Sequence, residues 1–186
     1  MNISNNRRYQ ETEQRIQSAF LKLLESGKDI DEIYIQDICR AGNITRPTFY
    51  SHYEDINDLV MQIEMEKAER IRSIMTAYAV PTQRSLEQYF EYLQDNRIFY
   101  LAFFRAGDRS YISRPLMESY LEEYADTSRH ESIQYQMDFF AAGLRAVAFR
   151  WLKSGCVQSP TEMAMLVMMY ENRSGLFSKT GYCDAL

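Results

Sequence analysis

Apolar positions recur with helical period along most of the chain. Ile16, Ala19, Phe20, Leu23 and Leu24 fall at i, i+3, i+4, i+7 and i+8, one stripe of an amphipathic helix over residues 11–26 that Ser26-Gly27 ends. Residues 1–10, with Arg7 and Arg8, show no stripe and read as a mobile polar tail or a basic arm for phosphates. A second stripe, Ile56, Leu59, Val60, Ile63, Ile71, Ile74 and Met75, predicts a helix from Asp55 to about Tyr78. Asp55 and Asp58 supply its capping arrangement, and Ala79-Val80-Pro81-Thr82 breaks it.

From Gln83 the pattern stays helical and turns aromatic, with Tyr89, Phe90, Tyr92, Phe99, Tyr100, Phe103 and Phe104. Asp95-Asn96 and Gly107-Asp108 are boundaries, and Ser113-Arg114-Pro115 opens a helix carrying Leu116, Met117, Tyr120, Leu121 and Tyr124. Ile133, Met137, Phe140, Leu144, Val147 and Trp151 then recur at spacings of 4, 3, 4, 3 and 4, a near-heptad seam suited to helix–helix contact. Phe139, Gly143 and Ala146 lie on an adjacent face. Lys153-Ser154-Gly155 is a stop, and Ser159-Pro160-Thr161-Glu162 a full start signal. The Met-rich segment after it is apolar around nearly its whole circumference, so it needs cover that a second subunit can supply.

Residues 36–53 carry the chemistry. They read as two short helices around a tight turn, with Ile38, Cys39 and Ala41 facing inward and Gly42-Asn43 as the break. Thr45 caps the second helix, and Pro47 fits its first turn, where backbone N–H groups lack intrahelical partners. Apart from Phe49 and Tyr53, that helix offers a cation, hydroxyls and an imidazole: Arg46, Thr48, Tyr50, Ser51 and His52. A short polar helix propped on another is what a DNA major groove accepts.

Charge qualifies this picture. The net charge is −5, yet residues 1–53 hold 7 Lys/Arg and 7 Asp/Glu, so the acidity lies beyond the candidate reader. With 7 Gly and 4 Pro in 186 residues, and many strong helix formers, the chain reads as all-α. Three dispersed cysteines, Cys39, Cys156 and Cys183, suggest reduced thiols in a cytoplasmic setting. No apolar run approaches the roughly 20 residues that span a bilayer. Neither His52 nor His130 has a neighbour at metal-ligand spacing, so no metal or cofactor is expected. An enzyme is not expected either, because no Gly-rich phosphate loop or nucleophile–base pair is visible.

Ile35-Gln36-Asp37-Ile38, the run Gly42 to Tyr53 and Asp58-Leu59 resemble the DNA-binding domain of the TetR/AcrR family of bacterial transcriptional regulators. The resemblance covers roughly residues 8–60, and Thr48-Phe49-Tyr50 with His52 is its most specific part. Phe139 with Gly143, Trp151-Leu152 with Gly155, and Ser159-Pro160 with Glu162-Met163 are similar to a Gram-positive subgroup that includes regulators of the dihydroxyacetone-kinase type. The family implies about nine helices: a three-helix helix-turn-helix domain, here residues 8–54, and a C-terminal helical ligand-binding and dimerisation domain, 55–186, with helix 55–78 linking the two.

Carried over by position, Gln36, Thr45, Arg46, Pro47, Thr48, Tyr50, Ser51 and His52 are the expected DNA-binding residues, with Arg46 reading a guanine edge. The effector pocket is expected among Phe99, Phe103, Tyr120, Tyr124 and Phe139. The dimer interface is expected at Phe140, Gly143, Val147, Met163, Leu166 and Tyr170. Two departures stand out: Ile56 replaces the family's usual Lys at the start of the fourth helix, and Tyr34 replaces the small hydroxyl cap of the second. The expected function is a homodimeric repressor on a near-palindromic double-stranded operator, modulated by an unidentified small-molecule effector. The alternative is a TetR-like co-activator or protein-interaction regulator whose own DNA binding is weak.

Overall fold

Eight α-helices and one 3-10 turn form within residues 3–75, 82–105 and 130–174, the parts of the chain that the computed structural model describes. They are α1 (Ile3–Glu25), the turn Ile30–Glu32, α2 (Ile35–Gly42), α3 (Arg46–Tyr50), α4 (Ile56–Met75), α5 (Gln83–Asp95), α6 (Arg97–Arg105), α7 (His130–Lys153) and α8 (Pro160–Ser174). No strand occurs among the described residues. The expected helix after Ser113, with Tyr120 and Tyr124, lies outside them.

The chain divides into two compact units: Met1–Glu66 with Ile98–Arg109, and Lys67–Arg97 with Ser110–Leu186. The sequence reading places its domain boundary at residue 54, before α4; the division between compact units falls within α4.

In the first unit α1 packs on α2, and α2 on α3. Ile16, Ala19, Phe20 and Leu24 of the predicted stripe are buried, with Ile30, Ile33, Ile38, Phe49, Tyr53, Leu59, Val60 and Ile63. The polar tail expected over residues 1–10 is instead helical from Ile3. Three local interactions account for this. Arg7 and Glu11 pair at i, i+4 (2.8 Å), Thr12 Oγ1 donates to the Arg8 carbonyl (2.8 Å), and the Tyr9 ring stacks on His52 with centroids 4.0 Å apart.

In the second unit α5 packs against both α7 and α8. Leu86, Phe90 and Leu93 meet a core that includes Leu144, Ala148, Trp151, Leu152, Met163, Ala164 and Val167. Phe90 lies edge-on to Trp151 (5.2 Å), whose indole N–H donates to the Gln158 carbonyl (2.8 Å). The α7–α8 connection follows its sequence signals. Gly155 and Cys156 take left-handed φ of 87° and 58°, and Cys156 N–H returns to the Trp151 carbonyl (3.0 Å). Ser159 and Glu162 exchange hydrogen bonds as a capping box. Thr161 Oγ1 also donates to Glu87 of α5, tying the start of α8 to its neighbour.

Candidate nucleic-acid interface

The turn between α2 and α3 is held from three sides. Asn43 adopts φ 48°, the left-handed conformation that Asn tolerates. Gly42 stays helical, and a Cβ there would meet Ala19 Cβ at 3.3 Å and the Arg15 carbonyl at 3.4 Å, so glycine sets the close approach of α2 to α1. Arg15 then donates through Nη2 to the carbonyls of Gly42 (2.8 Å) and Asn43 (2.6 Å). Its cation lies at the negative end of α2 and fixes the turn to α1. The sequence reading missed Arg15, whose interaction spans 27 and 28 residues. Ala41, expected to face inward, is exposed. Only Ile38 and Cys39 of that trio are buried, and burial pushes the Cys39 thiol pKa up.

The other end of α2 is pinned differently. Tyr34 occupies its N-cap position, makes no side-chain cap and is largely exposed. Lys28 reaches Asp37 in the first turn (2.9 Å) and holds its carboxyl below the usual range. An acid there also complements the positive end of the helix. Lys28 was not singled out from the sequence, because only the fold brings it to Asp37.

On α3, Thr45 caps as expected. Its Oγ1 accepts from Thr48 N–H (3.3 Å) and shares a hydrogen bond with Thr48 Oγ1 (2.8 Å). Pro47 stands in the first turn. Phe49 is fully buried, so the α3 backbone is anchored by one side chain and the rest face outward. Thr45, Arg46, Pro47, Tyr50 and Ser51 are exposed, as is Gln36 on α2, while Thr48 and His52 are half-buried. The exposed Arg46 guanidinium opposes the rise in the Cys39 thiol pKa. The Ser51 hydroxyl donates to the Thr48 carbonyl (2.7 Å) and retains its lone pairs.

His52 is more enclosed than a simple phosphate contact requires. Its Nδ1 is buried without a hydrogen-bond partner, and its ring lies on Tyr9. Burial lowers its pKa, against the opposing field of Glu13. Beside it, burial raises the Tyr53 hydroxyl to about 12, although Gln17 donates to it at 3.4 Å.

At the start of α4, Asp58 N–H donates to Asp55 Oδ1 and Glu54 N–H to Asp58 Oδ2, each at 2.9 Å. The reciprocal cap therefore reaches back to Glu54 instead of Asp55. Ile56, half-buried, brings no cation to this end.

The expected pocket residues are not all brought together. Phe99 and Phe103 are buried and stacked (5.9 Å), and they group with the first unit. Phe139 belongs to the second unit and is 70% exposed, on the outer face of α7 instead of in an interior. A cleft of about 520 Å³ does lie in the first unit, lined by Glu11, Gln14, Arg15, Ser18, Lys22 and Gly42 among others, but it is open and of mixed polarity. Of the expected interface residues, Gly143, Leu166 and Tyr170 are exposed. Phe140 and Val147 are half-buried, and Met163 is in the core. Tyr135, Phe139, Ala142 and Ala146 of α7 are exposed as well, as are Met165 and Met169 of α8.

Residues 82–172 match the TetR-type family described as "Transcriptional regulator C-terminal region". Over those residues the chain is similar to TetR-type regulators. It is similar to the uncharacterized HTH-type transcriptional regulator YxbF of Bacillus subtilis (strain 168), at 34% identity over 82 residues. That segment covers 44% of this chain and 22% of the relative's own length. A TetR-family regulator from Streptomyces coelicolor superposes with a TM-score of 0.68 at 16% identity, over 90% of this chain and 82% of that one. The dihydroxyacetone kinase operon activator DhaS superposes with a TM-score of 0.59 at 19% identity, over 88% and 95%. The fold is thus a helix-turn-helix with a helical C-terminal region. No helix among its described residues is long and apolar enough to cross a membrane.

Proposed function

We propose that the chain binds an operator as a homodimer, reads it with α3 and acts as an effector-modulated repressor. The observation that carries this reading is the outward set Thr45, Arg46, Pro47, Tyr50 and Ser51, held on a helix whose Phe49 is buried and whose turn is clamped by Arg15. An exposed guanidinium can bond guanine O6 and N7 together. Thr48, Tyr50 and Ser51 suit backbone phosphate. Exposed aromatic and methionine side chains on α7 and α8 support a homodimer, because apolar side chains left on the surface are what an association site uses. Two readers related by a two-fold axis would engage half-sites about 34–36 Å apart.

Selection of bound sequences from random DNA tests the reading and should return a near-palindrome. Arg46→Ala should then weaken that site by about 1–3 kcal/mol and relax one position in each half. Equal loss on selected and random DNA would remove Arg46 as a base reader. A second reading, a co-activator with weak DNA affinity of its own, is favoured by the missing side-chain cap at Tyr34 and by Ile56. DhaS, which shares this fold, is an operon activator, in agreement with it. Tight operator binding by the purified chain alone would rule it out.

A further inference from the structure

The early turns of α1 are polar, with Arg7 to Glu11 exposed, and two contacts set where they lie. Tyr9 stacks on His52 with planes 25° from parallel, and Gln17, two turns further on, reaches the Tyr53 hydroxyl. His52 and Tyr53 follow α3 directly, and both return their N–H groups to the Phe49 carbonyl. The start of α1 therefore runs past the end of α3. Arg15 marks a second flank of α1, the one that meets the Gly42 and Asn43 carbonyls in the α2–α3 turn. Arg8 stands seven residues before Arg15. It is therefore on that same flank, about 10 Å along the axis. Its side chain accordingly leaves α1 on the flank that the turn occupies, at the level of the end of α3.

We propose that Arg8 is a phosphate ligand of the operator, carried into place by the Tyr9–His52 stack, so that α1 supplies a cation that α4 lacks. The proposal rests on the operator-binding reading and extends it beyond the helix-turn-helix. The approach to α4 offers phosphate only repulsion: Glu54, Asp55, Ile56, Asn57 and Asp58 hold three acids and no cation. Glu13 adds a further acid on α1, and its field reaches His52. The arginines of α1 are what offset this acidity. Arg7 is held by Glu11 at 2.8 Å. The residue four on from Arg8 is no acid but Thr12, whose hydroxyl donates to the Arg8 carbonyl and leaves the guanidinium aside. A guanidinium fork matches two phosphate oxygens at once. A helix fixed by a ring stack also presents that fork without the ordering cost that a loose basic arm meets on binding. Such a contact carries no sequence information, so it strengthens binding to every duplex alike.

Fluorescence anisotropy of the full chain on the selected operator and on a random duplex, repeated between about 50 and 200 mM salt, tests this. Arg8→Gln should weaken both by about fivefold or more and lower the slope of log affinity against log salt by about one per protomer. Arg8→Lys should keep most of that slope. Arg7→Gln removes a cation already held by Glu11 and should lower the slope by a smaller step. Tyr9→Ala should weaken both duplexes as Arg8→Gln does, while Tyr9→Phe keeps the ring and should match the parent. Adding Arg8→Gln to Tyr9→Ala should cost little more, because the two residues serve one contact. Circular dichroism should show every variant folded, since Arg7, Arg8 and Tyr9 are exposed. A parent that binds the operator while Arg8→Gln keeps its salt slope overturns the proposal and leaves operator binding standing. So do equal losses from Arg7→Gln and Arg8→Gln, which reduce the effect to net charge, and a Tyr9→Ala variant as tight as the parent. A loss confined to the operator makes Arg8 a base contact and overturns the proposal too. A parent that binds neither duplex overturns both it and the operator reading.

Discussion

Two phenylalanines show how differently the two units are finished. Phe49 sits on a five-residue helix and is fully buried; Phe139 sits on a 24-residue helix and is 70% exposed. The short helix needs an anchor because five residues cannot sustain a helix in water. Its remaining side chains are released to face outward. The long helix has a core of its own, Leu144, Ala148, Trp151 and Leu152, and spends a second apolar face on solvent. The helix-turn-helix is completed by its own chain, whereas α7 and α8 leave large apolar side chains exposed.

The largest test of that contrast is to truncate both rings. Phe49→Ala should cost about 3–5 kcal/mol, enough to unfold the first unit, as read by urea denaturation. Phe139→Ala should change protomer stability by about 0.5 kcal/mol or less, measured below the dimerisation concentration. Comparable losses at the two sites would mean that Phe139 is covered within the chain. Next in size is Arg15→Met, which leaves the Gly42 and Asn43 carbonyls without their donor. A loss of about 1–2 kcal/mol is expected, with weaker operator binding because α3 loses its fixed angle. Thr45→Ala removes only the α3 cap and should cost about 1 kcal/mol.

The smallest effect is in the pH profile. Burial holds the His52 pKa below its unfolded value of about 6.5. The unfolded chain therefore binds the extra proton first as pH falls, so this contribution is present above about pH 6.5 and is lost on acidification towards the folded pKa. Thermal melts of the parent against His52→Gln should show a shallower acid-side slope in the variant. Identical slopes would mean that burial does not disfavour the charged His52 ring.

Much of the reader was legible because its signals are local. Thr45, Pro47 and Asn43 each announce a backbone requirement within a few residues, and Phe49 and Tyr53 are the apolar exceptions on a polar helix. Arg15 and Lys28 were not legible, because their partners are supplied by tertiary packing. The first turns of α1 were missed because a polar helix held by one ion pair and one ring stack leaves no hydrophobic period to find. On α7 the difficulty was of another kind. Positions 140, 144, 147 and 151 and positions 135, 139, 142 and 146 both repeat at spacings of three and four, about 100° apart around the helix. Spacing finds both faces, but only packing shows which one the chain covers itself. Phe139 is exposed and Phe140 half-buried for that reason.

Trp151 is the single tryptophan of the chain, buried on α7 with its N–H held by Gln158. Indole emission therefore comes wholly from the second unit, and the first contributes tyrosine alone. The protein thus carries a built-in optical label for one of its halves. A melt followed by fluorescence and one followed by ellipticity at a helical wavelength will coincide only if the two units unfold together. If the reader comes apart earlier, the second trace will move while the first stays flat.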